Sequence, residues 1–260
     1  MNILLTGHRG FIGSHMLTAL EANGHTVSTY EWGDILPSVM EQDWVIHMGA
    51  ISSTTERDIE KVMAQNYDFT IQLYEACHTF GVNFQYSSSA SVYGLVSTFA
   101  EDTQLDPRTP YAWSKYLTER HIRRRPMGAR AQVFRYFNVY GPEGEAHKGN
   151  QASPHYQFTE QAKTTGVIKV FKDSDKYQRD FIHVGEIVNT HLKFLNVKQS
   201  GVWNVGTGNA TSFQSVADTI AKQYNAKIEY INMPDILKNS YQQYTKANMT
   251  ALFNTVNEYL

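Results

Sequence analysis

A short apolar run, Asn2–Thr6, stops at a glycine, and glycines then recur in steps of three at Gly7, Gly10 and Gly13. Phe11, Met16, Leu17 and Leu20 follow at helical spacing until Asn23-Gly24 ends the pattern. A strand, a glycine turn and a helix in that order leave the chain few ways to fold. The first glycine permits the tight turn, the second lets backbone N–H groups approach a pyrophosphate, and the third lets the helix pack closely on the strand. The helix N-terminus then faces an anion with its unpaired N–H groups and its positive dipole end. The pattern therefore predicts a dinucleotide site at the chain's first turn.

Strand-like and helix-like segments alternate after it. Thr26–Tyr30, Trp44–Met48, Asn83–Ser87 and Ala131–Phe137 read as strands; residues 56–80 and 111–124 read as helices. Such alternation implies crossover connections and a parallel sheet. The expected fold is α/β, a Rossmann-type doubly wound parallel sheet with a smaller α/β substrate-binding lobe. After Gly141 the texture turns polar, with a helix-like piece near 156–163 and a strand near 167–171, while Val202–Val205 can rejoin the main sheet. The expected boundaries are residues 1–141 plus 181–206 for the dinucleotide domain, and 142–180 plus 207–260 for a discontinuous lobe.

A net charge of −2 gives no reason to expect nucleic acid as a bulk partner. Arg123-Arg124-Arg125 reads as the solvated C-terminus of a helix, where cations suit the dipole. The single cysteine, Cys77, sits in an apolar helical stretch and reads as a small buried hydrophobe; no CxxC or His-rich tract suggests a metal. No stretch is long and apolar enough to span a membrane, and the N-terminus lacks a basic n-region, so the expected location is the cytoplasm.

Glu31 closes the second strand, eighteen residues past Gly13. A carboxylate there accepts from ribose hydroxyls and repels a 2′-phosphate. No Lys or Arg occurs from Thr26 to Asp43, which favours NAD; Arg9 in the glycine loop keeps NADP as the alternative. Downstream, Tyr111-Ala112-Trp113-Ser114-Lys115 opens a helix after Pro110, so Tyr111 and Lys115 share a face. A lysine beside a tyrosine is expected to lower the phenol pKa and make a base available. The serine cluster Ser87–Ser91 at a strand end offers a hydroxyl, Ser89, to orient a substrate alcohol.

With these motifs the chain resembles the extended short-chain dehydrogenase/reductase family of sugar-nucleotide enzymes. Arg135-Tyr136-Phe137-Asn138-Val139-Tyr140-Gly141-Pro142, Arg179-Asp180-Phe181-Ile182-His183-Val184 and Asn204-Val205-Gly206-Thr207-Gly208 extend the likeness over most of the sequence. Within the family it most resembles the ADP-L-glycero-D-manno-heptose 6-epimerases. That closer likeness rests on His47-Met48-Gly49-Ala50 leading to Ser52–Glu56, on His147-Lys148-Gly149, on Phe171–Ser174 with Arg179, and on Tyr241–Thr245.

The resemblance implies a redox epimerisation with a tightly bound nicotinamide cofactor. Tyr111 would be the base, Lys115 its partner, Ser89 the orienting hydroxyl and Lys148 the second acid/base. It implies cofactor contacts from Phe11, Ile12, Trp32, Asp34, Ile35, Met48, Gly49, Ala50, Ile51, Ser52, Asn66 and Val139, beside Gly7, Arg9, Gly10, Gly13 and Glu31. Asn138, Asn150, Phe171, Ser174, Arg179 and Tyr241 would bind the nucleotide sugar, and a homo-oligomer is expected. The connection from Glu31 to Asp43 is short for the family, which implies a reduced strand or helix there. Other nucleotide-sugar 4-epimerases, reductases and dehydratases, and a non-catalytic NAD(P)-binding regulator, are the alternatives. Ala90-Ser91, with no acid beside the serine cluster, weighs against a dehydratase, and the intact Ser89, Tyr111 and Lys115 weigh against a regulator.

Overall fold

The computed structural model describes residues 1–126, 128–141, 144–234 and 242–259, with the side chain of Asn150 outside the description. Strands β1 (Asn2–Thr6), β2 (Thr26–Tyr30), β3 (Trp44–His47), β4 (Asn83–Ser89), β5 (Ala131–Tyr136) and β9 (Gly201–Val205) form one sheet in the order β2-β1-β3-β4-β5-β9. All five pairings are parallel.

Alternation along β1 shows why helices must cover both faces. Ile3 and Leu5 pack with Met16 and Leu20 of α1 (Phe11–Ala22) and with Val188 of α6 (Val184–Phe194). Leu4 points the other way, into a cluster with Leu73, Tyr74 and Cys77 of α3 (Phe69–Phe80) and Ile122 of α4 (Pro110–Arg124). A strand buried on both faces belongs to a doubly wound sheet. Each such Leu or Ile side chain contributes about 1.5–3 kcal/mol by leaving water.

The strand order reverses at β1, whose neighbours are β2 and β3. Ligands of open α/β sheets bind outside the strands' carboxyl ends at such a switch point. Gly7 and Gly49 lie just beyond the ends of β1 and β3. Residues 31–43 contain neither strand nor helix, so β2 is the sheet's edge, the reduction that the short connection implied.

A three-stranded sheet, β10-β8-β6, forms the lobe's base from β6 (Asn138–Tyr140), β8 (Gln178–His183) and β10 (Ala210–Ser212). Beside it α5 (Pro154–Thr165) and α7 (Phe213–Tyr224) pack over the parallel pair β7 (Val167–Phe171) and β11 (Lys227–Ile231). Two features differ from the sequence-based boundaries. β6, which lies wholly before residue 141, pairs with β8, which crosses residue 181, so both belong to the small sheet. The last helix, α8 (Thr250–Tyr259), returns to the main sheet, where Leu252 joins the core and Trp203 Nε1 of β9 donates to Thr255 Oγ1 at 2.9 Å.

The long helix expected over 56–80 starts at α2 (Ile59–Met63), N-capped by Asp58, and runs through a π-helical turn at Ala64–Asp68 before α3. Among the described residues, no helix is long and apolar enough to cross a membrane, and no cluster of His, Cys, Asp or Glu is arranged to hold a metal ion.

Candidate active site

The glycine turn is fixed by close approach. Gly7 has φ +76°, and a Cβ there would lie 2.5 Å from Gly49 N; a Cβ on Gly13 would lie 1.9 Å from Gly7 O. Gly10 is less crowded, since its Cβ would meet only Gly7 O at 3.3 Å. Gly10 also N-caps α1 with no side-chain hydrogen bond, so the amides at the start of the helix remain open to an anion. These residues fit a pyrophosphate.

On the β2 side, Glu31 Oε1 accepts Arg9 N–H at 2.6 Å and lies 3.4 Å from His8 Nδ1. Arg9 extends over the surface towards Asp34, 3.9 Å away. A cavity of about 150 Å³ opens beside Glu31, lined by Thr6, Gly7, Trp32, Gly49, Ala50 and Ile51 together with Tyr30, Gln65 and Phe69. Asp34 and Ile35 are not among its walls, and Ile35 is 95% exposed.

The loop after β3 is held from below. Asn66, on the π-helical turn, accepts Ile51 N–H at 2.8 Å and donates to Ile51 O at 2.9 Å. Thr6 Oγ1 accepts Gly49 N–H and lies 2.6 Å from His47 Nδ1. Thr70 donates its hydroxyl proton to Asn66 O, so it accepts from His47 Nε2. His47 is therefore the neutral Nε2–H tautomer, and burial, with Lys115 nearby, pushes its pKa down to about 3.

Thr109 N-caps α4 and Pro110 begins it, which sets Tyr111 and Lys115 on the face towards β4. Lys115 Nζ donates to Ser87 O at 2.8 Å and lies 5.7 Å from the centre of the Tyr111 ring. The Ser89 hydroxyl hydrogen-bonds the Tyr111 phenol. The structure thus brings Ser89, Tyr111 and Lys115 together. It differs on the electrostatics. Burial raises the Tyr111 pKa, and the opposing influence is the Ser89 hydrogen bond, not Lys115. Lys115 is itself pushed down to about 7 by burial, with Glu119 one turn on pulling it back up.

Lys148 lies on a 3₁₀ turn, Ala146–Gln151. Its Nζ is 4.9 Å from the centre of the Phe11 ring and 3.2 Å from Glu145 Oε2. Glu145 is fully buried and also accepts from Gly141 N, Ser153 N and Ser153 Oγ. Gln151 reaches Thr55 at 3.3 Å, joining this turn to the loop beyond Ser52.

In the lobe, Asn138 and Val139 lie on β6, with Asn138 exposed; Phe171 ends β7. Ser174 donates to Gln214, and Arg179 stacks its guanidinium over Phe213, 5.6 Å away, while donating to Gln178 O. Tyr241 and the side chain of Asn150 lie outside the described residues.

Residues 3–206 match the NAD dependent epimerase/dehydratase family. The chain belongs to that family. Its members' fold is matched over nearly the whole length. The ADP-L-glycero-D-manno-heptose-6-epimerase of Helicobacter pylori superposes with a TM-score of 0.87 at 24% identity, covering 98% of this chain and 90% of that one. The UDP-N-acetylglucosamine 4-epimerase of Methanobrevibacter ruminantium gives 0.87 at 22%, covering 98% and 91%. The UDP-glucose 4-epimerase of Thermotoga maritima gives 0.84 at 26%, covering 98% and 92%. The chain is thus an enzyme of the NAD dependent epimerase/dehydratase family, and the preference for NAD drawn from Glu31 agrees with it.

Several parts of this epimerase/dehydratase site were not singled out in the sequence. Gln65 lies on the π-helical turn and Phe69 begins α3 directly after it, and both enter the cavity wall. Glu145 is one acidic residue in a polar stretch, with no local signal of burial. The fully buried pair Glu119–Arg135, 2.7 Å apart below Lys115, joins α4 to β5. An Arg inside an apolar strand run was the one available sign that a partner existed.

Proposed function

We propose that the chain is a nucleotide-sugar epimerase acting by transient oxidation and re-reduction, with an ADP-glycero-manno-heptose, epimerised at C6, as its substrate. The observation that carries this reading is a second amine at the glycine turn. Lys148, held by Phe11 and Glu145, comes from an element unrelated to the one bearing Tyr111. Inversion by oxidation and reduction takes hydride from one face of the carbinol carbon and returns it to the other, and a second acid/base lets the turned keto sugar be protonated away from Tyr111.

Bound at the glycine turn, a nicotinamide dinucleotide supplies hydride acceptance and return. In this reading Tyr111 takes the substrate hydroxyl's proton on its phenolate oxygen and returns it in the reverse sense. Ser89 aligns that hydroxyl, and Lys115 keeps positive charge beside the phenolate. Lys148 exchanges the proton on the second face once the keto sugar has turned. Glu31 holds the adenosine ribose, and the backbone from Met48 to Ser52 follows the dinucleotide. Phe11, Ile12, Trp32 and Val139 flank it, Asp34 and Ile35 lie at the open surface beside Arg9, and Asn66 acts from below through the Ile51 peptide. Asn138, Phe171, Ser174 and Arg179, with Asn150 and Tyr241, contact the nucleotide sugar, Arg179 on its diphosphate, to which a planar guanidinium is suited. The lobe, which runs from β6 through β8 and resumes over residues 207–249 in place of the expected 142–180 and 207–260, is the substrate-binding part. A homo-oligomer is proposed with it, with exposed Ile59 and Trp113 as apolar candidates for the interface; a monomeric sedimentation profile would remove that element.

A UDP-hexose 4-epimerase is the second reading, favoured by the Thermotoga maritima structure. NMR of ADP-heptose and of UDP-glucose incubated with the enzyme separates the two. Inversion at C6 of the heptose, abolished by Tyr111→Phe with NAD binding retained, is the expected result. Conversion of UDP-glucose with no heptose turnover would replace the first reading with the second.

A further inference from the structure

Lys115 is 3% exposed, and its ammonium group needs more than the single carbonyl of Ser87 to remain charged there. The nearest aromatic face is not Tyr111. The Tyr86 ring centre is 4.8 Å from Lys115 Nζ, against 5.7 Å for Tyr111. Tyr86 is completely buried on β4, in a triangle of near-parallel rings with Phe84 of its own strand (6.4 Å, 11°) and His47 of β3 (5.9 Å, 16°), which lie 6.2 Å from each other. Its hydroxyl lies beside Thr118, whose own proton goes to Ser114 O. The ring, not the hydroxyl, is what meets the lysine.

We propose that Tyr86 is a positioning residue for the reaction: its ring face, flanked by the neutral imidazole of His47, seats the Lys115 ammonium by a cation–π contact and keeps it protonated beside Tyr111. A cation held over a desolvated aromatic face is stabilised by the ring quadrupole, while the neutral amine gains nothing comparable. Other groups facing the lysine act in known senses. Glu119 on α4 favours its charged form, although Arg135 on β5 already neutralises most of that carboxylate. Tyr111 on α4, whose pKa burial raises, sets no charge against the lysine in its phenol form. His47 on β3 adds no competing charge, because both its nitrogens are hydrogen-bonded in the neutral form. What remains is a neutral platform with a cation on it. The proposal rests on the catalytic reading of Lys115, but its central claim concerns ionisation and can be measured without substrate.

The test is an NMR titration of the full-length protein labelled with [ε-¹³C]lysine, the Lys115 signal being assigned by its loss in Lys115→Arg. Tyr86→Phe should leave the midpoint unchanged. Singly, doubly and triply fluorinated phenylalanines at position 86 keep the ring's shape and drain its face of negative charge. They should lower the midpoint stepwise, by about half to one and a half pH units in all. A midpoint constant from phenylalanine to the triply fluorinated ring would overturn the proposal. So would a Tyr86→Phe midpoint already displaced by as much as the triply fluorinated variant's, because the hydroxyl would then be responsible. Once a substrate is in hand, the alkaline limb of kcat should move to lower pH in the same order, with NAD affinity unchanged. Failure of the heptose reading alone would leave the titration result standing.

Discussion

Asn66 grips Ile51 at both ends of its peptide unit, accepting the N–H at 2.8 Å and donating to the C=O at 2.9 Å. Ile51 belongs to the loop that walls the cavity beside Glu31, and Asn66 belongs to the one π-helical turn among the described residues. Asn66→Ala leaves two polar groups without partners and should destabilise the fold by about 1–3 kcal/mol. NAD binding should weaken as the loop relaxes. Urea unfolding and calorimetry read the two effects; an Ala variant with unchanged NAD affinity would show that the loop needs no such support.

Glu31 is oriented by the Arg9 amide, so its second oxygen is left for a ribose. Glu31→Gln removes the charge while keeping most of the shape. The preference for NAD over NADP, taken from the ratio of dissociation constants, should fall by about tenfold, the order of one charge-assisted hydrogen bond. A ratio that stays put would place the discrimination elsewhere, with Arg9 the next candidate.

Lys148→Ala should lower epimerisation by about a hundredfold, the range of one general acid/base. The first oxidation, seen as reduced-nicotinamide absorbance on mixing with substrate, should survive. Loss of both together would mean that Lys148 contributes to binding and not to the second proton exchange.

Two buried histidines make stability depend on pH. His191 accepts from Tyr136 at Nε2 and donates from Nδ1 to Gln85 at 2.7 Å; burial pushes its pKa, like that of His47, down to about 3. A pKa lowered in the folded state means that the unfolded chain binds the extra proton. Their stabilisation is therefore complete above about 6.5 and is lost as pH falls towards 3, at about 1.4 kcal/mol per pH unit for each histidine. Urea midpoints measured from pH 7.5 down to 5 should fall accordingly. His191→Gln should flatten the slope by about one proton's worth; an unaltered slope would contradict the assignment.

Glu119 and Arg135 have no exposed side-chain surface. Glu119→Gln strands a buried guanidinium and should cost about 3–5 kcal/mol, visible as a lowered thermal midpoint. Because Glu119 also holds the Lys115 pKa up, the lysine should titrate lower in the variant.

Much of this architecture could be read from the chain. Gly7, Gly10 and Gly13 follow a strand, Tyr111 and Lys115 share a helical face, and apolar runs at Trp44 and Ala131 mark strands buried on both sides. The lobe's small sheet was not foreseen. β8 reads Gln-Arg-Asp-Phe-Ile-His, and its polar half is buried, because Arg179 packs on Phe213 and Asp180 serves backbone amides. Periodicity detects apolar burial, whereas polar burial depends on partners distant in sequence. The phenol's environment escaped for the same reason. Tyr111 and Lys115 are visibly adjacent on a helix, but the enclosure that raises one pKa and lowers the other comes from the strands around them.

Asp180 receives the amides of Thr207 and Gly208 and, from the C-terminal stretch, that of Ala247. Three residues further on, α8 begins and is anchored to β9. The small sheet is thus laced to the large one repeatedly, by the passage from β5 to β6, by that from β8 to α6, by the 205–210 crossing and by the final segment. A lobe tied at several points does not swing on a single hinge. Enclosure of a ligand must come from the shorter pieces that meet above the glycine turn, the loop around Thr55 and the 3₁₀ turn carrying Lys148, and these set how fast a product can leave.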